Sequence, residues 1–545
     1  MSVPRNGAAA LASTLAAAGV RRLFTLSGNH IMPVFDACLD AGIELLHTRH
    51  EAAAVHMADA WARLTGEPGV ALVTGGPGHA NAVSALYTAS MAESPVVLLS
   101  GHAPHAQLGM GAFQEMRQTD IAAPLAKAAT LAASADSLPA DMLRALRLAG
   151  SGRPGPVHLS LPTDALEAAC TQPLPEQTGA GLAAPLAQAL PADTARAVLD
   201  TLAQARRPLI LTGPAAMRGA DQQAANALEA ACGIPVIGMQ SPRGVADPAL
   251  GAFAEILAQA DCILLLGKRL DFTLKFGAAP AIAAACAFLQ IDADAVEFER
   301  SRRAVGERLG LTAQADHGTA LAALRDACAG YTPRHAAWTA DVRAALAYRP
   351  AAWATATAKQ QGRLHPYQAL APVQALLDRH PNAVLVADGG EIGQWAQAIL
   401  HAPDKVFNGV AGSIGAALPF AAAASLARPG APVVAVLGDG TFGFHAAEID
   451  TAVRYRLPFI AVVGNDARWN AEYQIQLREY GPERTVGCEL LPTRYDLVTQ
   501  AFGGHGSLVT MAEAVTPALA QARGCGLPAC VNVMIEGLPA PVVRR

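Results

Sequence analysis

Short, unbroken apolar runs rich in β-branched residues recur along this chain, each leading into a Gly-rich turn and then an Ala/Leu-rich stretch. The runs are Gly69–Thr74, Pro95–Ser100, Pro208–Leu211, Cys262–Leu266, Ala383–Ala387, Pro432–Leu437, Pro458–Val463 and Ala529–Ile535. A strand with one wet face alternates apolar and polar residues, whereas continuous runs suit strands buried on both faces of a parallel sheet. Strand–helix alternation then predicts an α/β protein built from doubly wound, Rossmann-like layers. Ala8–Val20 reads as a helix ending at Gly19, too short to span a bilayer although Arg5, Arg21 and Arg22 bracket it.

Two stretches break the alternation. Thr171–Pro191 is rich in Pro, Gly and Gln and reads as a linker. Tyr331–Leu364 has no strand signal but carries helix-like Ala and charge spacing, so it reads as a helical connection. With 545 residues the chain exceeds what one core can hold, roughly 250–300 residues. The breaks predict three domains, residues 1–171, 190–330 and 360–545.

Composition narrows the class. Apolar residues make up 52% and charged residues 16%, enough to bury large interiors and to suggest that subunits cover some surface. A net charge of −5 without a basic run argues against a nucleic-acid partner. Nine scattered cysteines with no C-x-x-C pair fit reduced, buried thiols. With no secretory signal, a cytoplasmic protein without a membrane partner is expected.

The sharpest chemical signal is Gly438-Asp439-Gly440-Thr441, directly after Pro432–Leu437. Ligands of open α/β sheets bind beyond the carboxyl ends of strands, where a turn and a helix N-terminus offer N–H groups to phosphate. A carboxylate there holds a hard cation that bridges phosphate oxygens. The strand Pro458–Val463 ends in Gly464-Asn465-Asp466, so a second oxygen ligand lies 27 positions after Asp439, about one helix and one strand away. GDG alone is an ordinary turn; after a strand and paired with Asn-Asp it is specific. Near the N-terminus, Arg49-His50-Glu51-Ala52-Ala53-Ala54 opens a helix, and Thr74-Gly-Gly-Pro-Gly78 follows a strand. Glu51 admits two readings: a first-turn acid stabilised by the helix dipole, or a buried carboxyl that shares a proton with a ring nitrogen.

Together, GDG with Asn-Asp, RHEAAA and TGGPG resemble the thiamine-diphosphate (ThDP) enzymes of the acetolactate synthase-like superfamily, and the likeness covers nearly the whole chain. Benzaldehyde lyases, 2-hydroxyacyl-CoA lyases and oxalyl-CoA decarboxylases are relatives. Locally, Gly28–Arg63, His365–Leu370, Glu448–Pro458 and Tyr480–Gly487 are most similar to benzaldehyde lyase. The resemblance implies a pyrimidine-binding, a central and a diphosphate-binding domain. It puts Mg²⁺ on Asp439, Asp466 and the Arg468 carbonyl, and the diphosphate on Gly438, Gly440 and Thr441. Glu51 falls on the catalytic glutamate that drives the aminopyrimidine to its imino form, with Thr74, Gly78 and Asn81 around it. Gly412, Ser413 and Ile414 match the segment that bends the cofactor, Ile414 being the apolar wedge.

His30 and Gln114 fall on an active-site histidine, suited to proton relay, and an active-site glutamine, suited to orienting substrate or water. Asp388–Trp395 is expected to line the diphosphate and substrate mouth. Benzaldehyde lyase has a bulky aromatic where Gly393 stands, which implies room for a different or larger substrate. Trp469 and Asn470 are candidate pocket walls. His102 and His105 read as loop residues near the pocket, with no acid beside them to complete a metal site. Gly267–Phe272 and Gln290–Asp292 resemble positions where relatives bind FAD or ADP, but the string after Arg269 differs and neither nucleotide is expected.

In this superfamily the glutamate and the metal signature act on one cofactor across a subunit interface, which implies a homo-oligomer, a dimer of dimers. The implied function is a carboligase or lyase acting on small carbonyl substrates, 2-oxo acids or 2-hydroxy ketones. An acyl-CoA lyase or decarboxylase is the alternative, disfavoured because only GLPAPVVRR follows the last strand signal. A non-catalytic paralogue is a third, opposed by the presence of Glu51, Asp439 and Asp466.

Overall fold

The structure, a computed structural model, describes residues 5–173 and 178–545. Residues 174–177 of the expected linker Thr171–Pro191 lie outside the described residues. Three sheets, all parallel, carry the strands. The first holds β1 (Arg22–Thr25), β2 (Glu44–His47), β3 (Gly69–Val73), β4 (Val96–His102), β5 (Ala129–Leu131) and β6 (Val157–Pro162), in the order β2-β1-β3-β4-β6-β5. The second holds β7 (Pro208–Thr212), β8 (Val236–Gly238), β9 (Cys262–Leu266), β10 (Ala287–Asp292) and β11 (Leu309–Gln314), in the order β11-β10-β9-β7-β8. The third holds β12 (Val384–Ala387), β13 (Asp404–Phe407), β14 (Val433–Gly438), β15 (Ile460–Asn465), β16 (His505–Val509) and β17 (Ala529–Met534), in the order β13-β12-β14-β15-β17-β16.

The first and third sheets share one winding. In each, the chain moves outward from the first strand to the second, then returns and continues on the other side with the third. That reversal leaves a crevice at the carboxyl ends of the first and third strands, the place where ligands bind in such sheets. TGGPG follows β3 and GDG follows β14, so both Gly-rich turns sit at a reversal.

The chain divides into two compact units, one running to Leu186 and including Ala422–Ala427, the other made of Ala187–Ala421 and Arg428–Arg545. In the first unit, Leu11 and Leu15 of the helix Gly7–Ala17 and Leu72 and Leu99 of the sheet form one fully buried core. In the second, Leu264 and Leu266 belong to one core under the central sheet and Val434, Val436 and Val531 to another under the third. The connection after Tyr331 is helical over Ala336–Ala347, and its Trp338 Nε1 donates to the Pro208 carbonyl at 2.8 Å. The last residues pack back onto this unit: Val543 is buried in the central core, and the Pro539 carbonyl accepts from Trp395 Nε1 at 3.0 Å. Among the described residues no helix is long and apolar enough to cross a membrane.

Candidate active site

In the first unit, Glu51 is the first residue of the helix Glu51–Thr65, behind β2. His50 caps this helix, its side chain accepting from the Ala52 amide at 3.1 Å. The Glu51 side chain is buried, and its Oε2 accepts from Asn81 Nδ2 at 3.0 Å. Asn81 and Gly78 lie on the helix Pro77–Met91, which starts inside TGGPG. Gly78 has to be glycine: a Cβ there would stand 3.3 Å from Glu51 Oε1 and 2.7 Å from Thr74 Cγ2. His30 sits on the turn after β1, buried, with Nδ1 3.2 Å from Thr74 Oγ1. Burial lowers its pKa, so at neutral pH the ring is an uncharged imidazole able to give or take one proton. The exposed Phe113 ring stacks on it at 5.9 Å between centroids.

Gln114 follows Phe113 with φ +57, a left-handed backbone rare for such a residue. Glu115 holds this loop shut, its carboxylate accepting from the amides of Gly109, Gly111 and Ala112 at 2.5, 3.1 and 3.0 Å. Gln114 lies against Gly76, where a Cβ would come within 2.8 Å of the glutamine's own Cβ. The turn Thr74–Gly78 therefore gathers Glu51, Asn81, His30 and Gln114.

Two expectations need correcting here. His102 is not a loop residue: it ends β4, buried, with its ring nitrogens 3.0 Å from the Met116 carbonyl and 3.2 Å from that of Ala103. His105 does have an acid beside it, Asp164, at 3.0 Å, a partner distant in sequence and so invisible to local spacing. Sequence reasoning also missed the buried side chains beneath the turn, Gln118, Ser160, His158 and His79.

In the second unit, Asp439 starts a short helix at the end of β14, and Asp466 follows β15, the neighbouring strand. Asp439 is buried, and its Oδ2 has no hydrogen-bond partner. Burial pushes the Asp439 carboxyl up to about 6, against the backbone amides of Gly440, Ala467 and Arg468 that face it. Burial, together with the charge of Asp439, pushes Asp466 up to about 8. Two buried acids that repel each other, one with an orphaned oxygen, are the donor set a hard divalent cation would neutralise. Among the described residues no cluster of three His, Cys, Asp or Glu could hold a metal, so the remaining oxygens must come from backbone, water or a ligand's phosphates.

A cleft opens around this pair, lined by Gly390, Glu391, Ile414, Gly438, Gly440, Thr441, Arg468, Trp469 and Asn470 among others. Gly440 lets the Trp469 ring pack on the turn, since a Cβ would stand 2.6 Å from it. Ile414 leans over Gly389, where a Cβ would come within 2.2 Å of it. Behind it lies Asp388, fully buried, whose carboxylate accepts from the amides of Gly389, Gly415 and Ala417 at 2.6, 3.0 and 2.7 Å. Burial pushes this carboxyl up to about 6. Ser413 contributes its carbonyl to Asn408 Nδ2 at 2.9 Å, and Gly412 takes φ +68 beside Pro242. Arg243 reaches Glu391 at 2.8 Å, a contact that no local motif signals.

Gly393 is not among the cleft-lining residues, and its missing side chain leaves no room. It lies in the helix Glu391–Ile399, and a Cβ would stand 1.7 Å from the Asp388 carbonyl oxygen. The expectation of a larger pocket at Gly393 is therefore corrected: that volume is filled by backbone. In the central sheet, Lys268 is buried, with its ammonium on Thr273 Oγ1 at 2.7 Å and the Arg269 carbonyl at 3.0 Å.

Three family models match in succession: the N-terminal TPP binding domain of thiamine pyrophosphate enzymes over residues 5–121, their central domain over 195–324 and their C-terminal TPP binding domain over 388–533. The chain belongs to the thiamine pyrophosphate (ThDP) enzyme family. Within it, the chain is 34% identical over 537 residues to a probable acetolactate synthase of Mycobacterium bovis, covering 96% of this chain and 95% of the relative. It is 32% identical over 554 residues to 2-hydroxyacyl-CoA lyase 2 of Danio rerio, covering 93% and 87%. The human 2-hydroxyacyl-CoA lyase 2 is 31% identical over 593 residues, covering 97% and 90%.

Proposed function

We propose that this protein is a ThDP- and Mg²⁺-dependent carboligase or lyase that makes or breaks a carbon–carbon bond beside a carbonyl, using 2-oxo acids or 2-hydroxy ketones. The observation that carries the metal and diphosphate part is the buried Asp439–Asp466 pair with its unpartnered oxygen, at the strand reversal of the third sheet. The acetolactate synthase relatives support the reaction class.

Bound ThDP supplies a nucleophilic carbon for a carbonyl and a sink for the electron pair released when the adjacent bond breaks. The roles of this chain's residues follow from their surroundings. Asp439, Asp466 and the Arg468 carbonyl would hold Mg²⁺, and Gly438, Gly440 and Thr441 would offer the diphosphate a close backbone approach at a helix start. Gly412, Ser413 and Ile414 shape the cofactor's path, with Gly393 supporting the strand end behind them. Glu51, oriented by Asn81 and flanked by Thr74 and Gly78, holds a proton against the pyrimidine ring. Neutral His30 moves a proton to or from a substrate hydroxyl, and Gln114 orients substrate or water. A homo-oligomer and a cytoplasmic location belong to the same reading, supported by the low content of charged residues and the mostly buried free thiols.

A second reading is a 2-hydroxyacyl-CoA lyase, favoured by the lyase relatives. One experiment separates the two. Holoenzyme is incubated with pyruvate, benzoin or a 2-hydroxyacyl-CoA, and CO₂, free aldehyde and formyl product are followed. Turnover of pyruvate or benzoin supports the first reading and of the thioester alone the second; silence with all three removes both.

A further inference from the structure

We infer that Gln118 is a positioning residue that fixes the turn Thr74–Gly78, and through it the placement of Gln114 and His30. The inference rests on the roles proposed for those two residues. Gln118 is buried at the start of the helix Gln118–Ala122 and uses both ends of its amide. Its Oε1 accepts from the Gly76 amide at 2.8 Å. Its Nε2 donates to the Gly101 carbonyl at 3.1 Å and to Ser160 Oγ at 3.0 Å. One side chain thus links the turn after β3, the end of β4 and the middle of β6.

Each link leads toward the site. Gly76 is pinned in a conformation open only to glycine, φ +57 and ψ −114, with Gln114 directly against it. Gly101 supports His30 from below, since a Cβ there would stand 2.5 Å from His30 Cβ. Gly75 packs between them, its Cβ position 2.7 Å from the Gly101 carbonyl oxygen and 3.2 Å from Gln118 Oε1. On the far side the network is anchored in the sheet. Ser160 Oγ lies 3.3 Å from His158 Nε2, the His158 and His79 rings are 4.5 Å apart, and His79 Nδ1 is 2.9 Å from Ser100 Oγ. All four of these residues are buried. An amide is the side chain that suits this place, because the same group must accept from one backbone N–H and donate to a carbonyl and a hydroxyl. A carboxylate of the same shape keeps the first bond, loses both donors and faces the Gly101 carbonyl with a lone pair.

Gln118→Glu and Gln118→Leu are compared with the unaltered holoenzyme in two assays. Hydrogen exchange over the peptide 74–80, read by mass spectrometry, should accelerate about tenfold or more in Gln118→Leu while the β4 peptide is unchanged, because the turn loses the acceptor of a backbone amide whereas β4 loses only a donor to a carbonyl and keeps its amide bonds. With the carbonyl donor that the unaltered enzyme turns over best, Gln118→Glu should lower kcat about tenfold or more, as small misplacements of positioned groups do. Its ThDP affinity by calorimetry should stay within about threefold, because the bond to the Gly76 amide is kept, so that Thr74 and Gly78 stay in place, and the acid pair and its cleft are untouched. Unchanged exchange at 74–80 in Gln118→Leu overturns the inference. So does a loss of kcat in Gln118→Glu that merely tracks the folded fraction. If the unaltered enzyme turns over none of the three donors, the functional reading fails, and the exchange measurement alone decides whether Gln118 holds the turn.

Discussion

The turns Thr74–Gly78 and Gly438–Thr441 occupy the same place in two sheets wound the same way, yet they are built from opposite electrostatics. Around the first, the buried groups beneath the turn are neutral amides, hydroxyls and uncharged imidazoles, and the one carboxylate, Glu51, has an amide partner in Asn81. Around the second, the carboxylates of Asp439 and Asp466 face a cleft that Glu391 and Glu472 also line, and one Asp439 oxygen has no partner. Shared topology supplies a place where backbone N–H groups and glycines converge; the side chains then decide whether its charges are balanced within the chain or left in mutual repulsion. The fold provides the position and the charge pattern the chemistry.

This contrast is open to attack from several sides. The largest expected effect is at the proton-holding group: Glu51→Gln should cut turnover by about 10²–10⁴-fold while calorimetry still registers ThDP uptake. Turnover near the original level would strip Glu51 of its role. The next concerns acid. His79 is buried and uncharged, its pKa lowered from 6.5 to about 4, and His158 is shifted in the same direction. At His79 the unfolded state binds more protons than the folded one between about 6.5 and 4, so its own contribution to stability falls as pH drops through that window, by about 3 kcal/mol, while the raised carboxyls of Asp388, Asp439 and Asp466 act in the opposite direction. Urea titrations of His79→Asn and the unaltered protein at pH 7, 6, 5 and 4 should show their stability difference shifting in the variant's favour toward acid; a difference independent of pH would strip His79 of this part.

At the second turn, Asp439→Asn should weaken Mg²⁺ binding by about 100-fold, whereas at the first Asn81→Ala should leave it unaltered. Equal affinities in Asp439→Asn and the unaltered protein would refute the metal assignment. The smallest effect is steric. In Gly440→Ala the new methyl meets the Trp469 ring, which can swing aside, so about 1 kcal/mol of stability is at stake. A change in tryptophan fluorescence would report the swing, and an unmoved spectrum would count against the contact.

How much was legible in the sequence follows from where each residue lies. Interior strands β3, β4, β7, β9, β12, β14, β15 and β17 announce themselves as apolar runs because both faces are covered. The sheet edges β2, β5, β8, β11, β13 and β16 do not, since water on one side admits residues such as Glu44, Thr130 and Gly506. Interior strands β1, β6 and β10 give no such run, β1 because it has only four residues, β6 because His158 and Ser160 interrupt it and β10 because Gln290 does. Asp439, Asp466 and Glu51 were readable because their chemistry sits in local motifs. Gln118, Asp388 and the Arg243–Glu391 pair were not, because their partners lie 17 to 148 positions away or act through backbone amides. The aromatic-for-glycine comparison at Gly393 misled for a related reason: it judged side-chain volume without knowing that the Cβ direction points into a carbonyl.

Asp388 has one further consequence. Its carboxylate is clasped by three amides, so the segment carrying Ile414 is latched to the end of β12 before any guest arrives. Ile414, which lines the cleft, can shift far from Gly389 only if the neighbouring amides of Gly415 and Ala417 give up their shared acceptor. This side of the cleft is thus set by backbone contacts of the chain itself and not by what enters it.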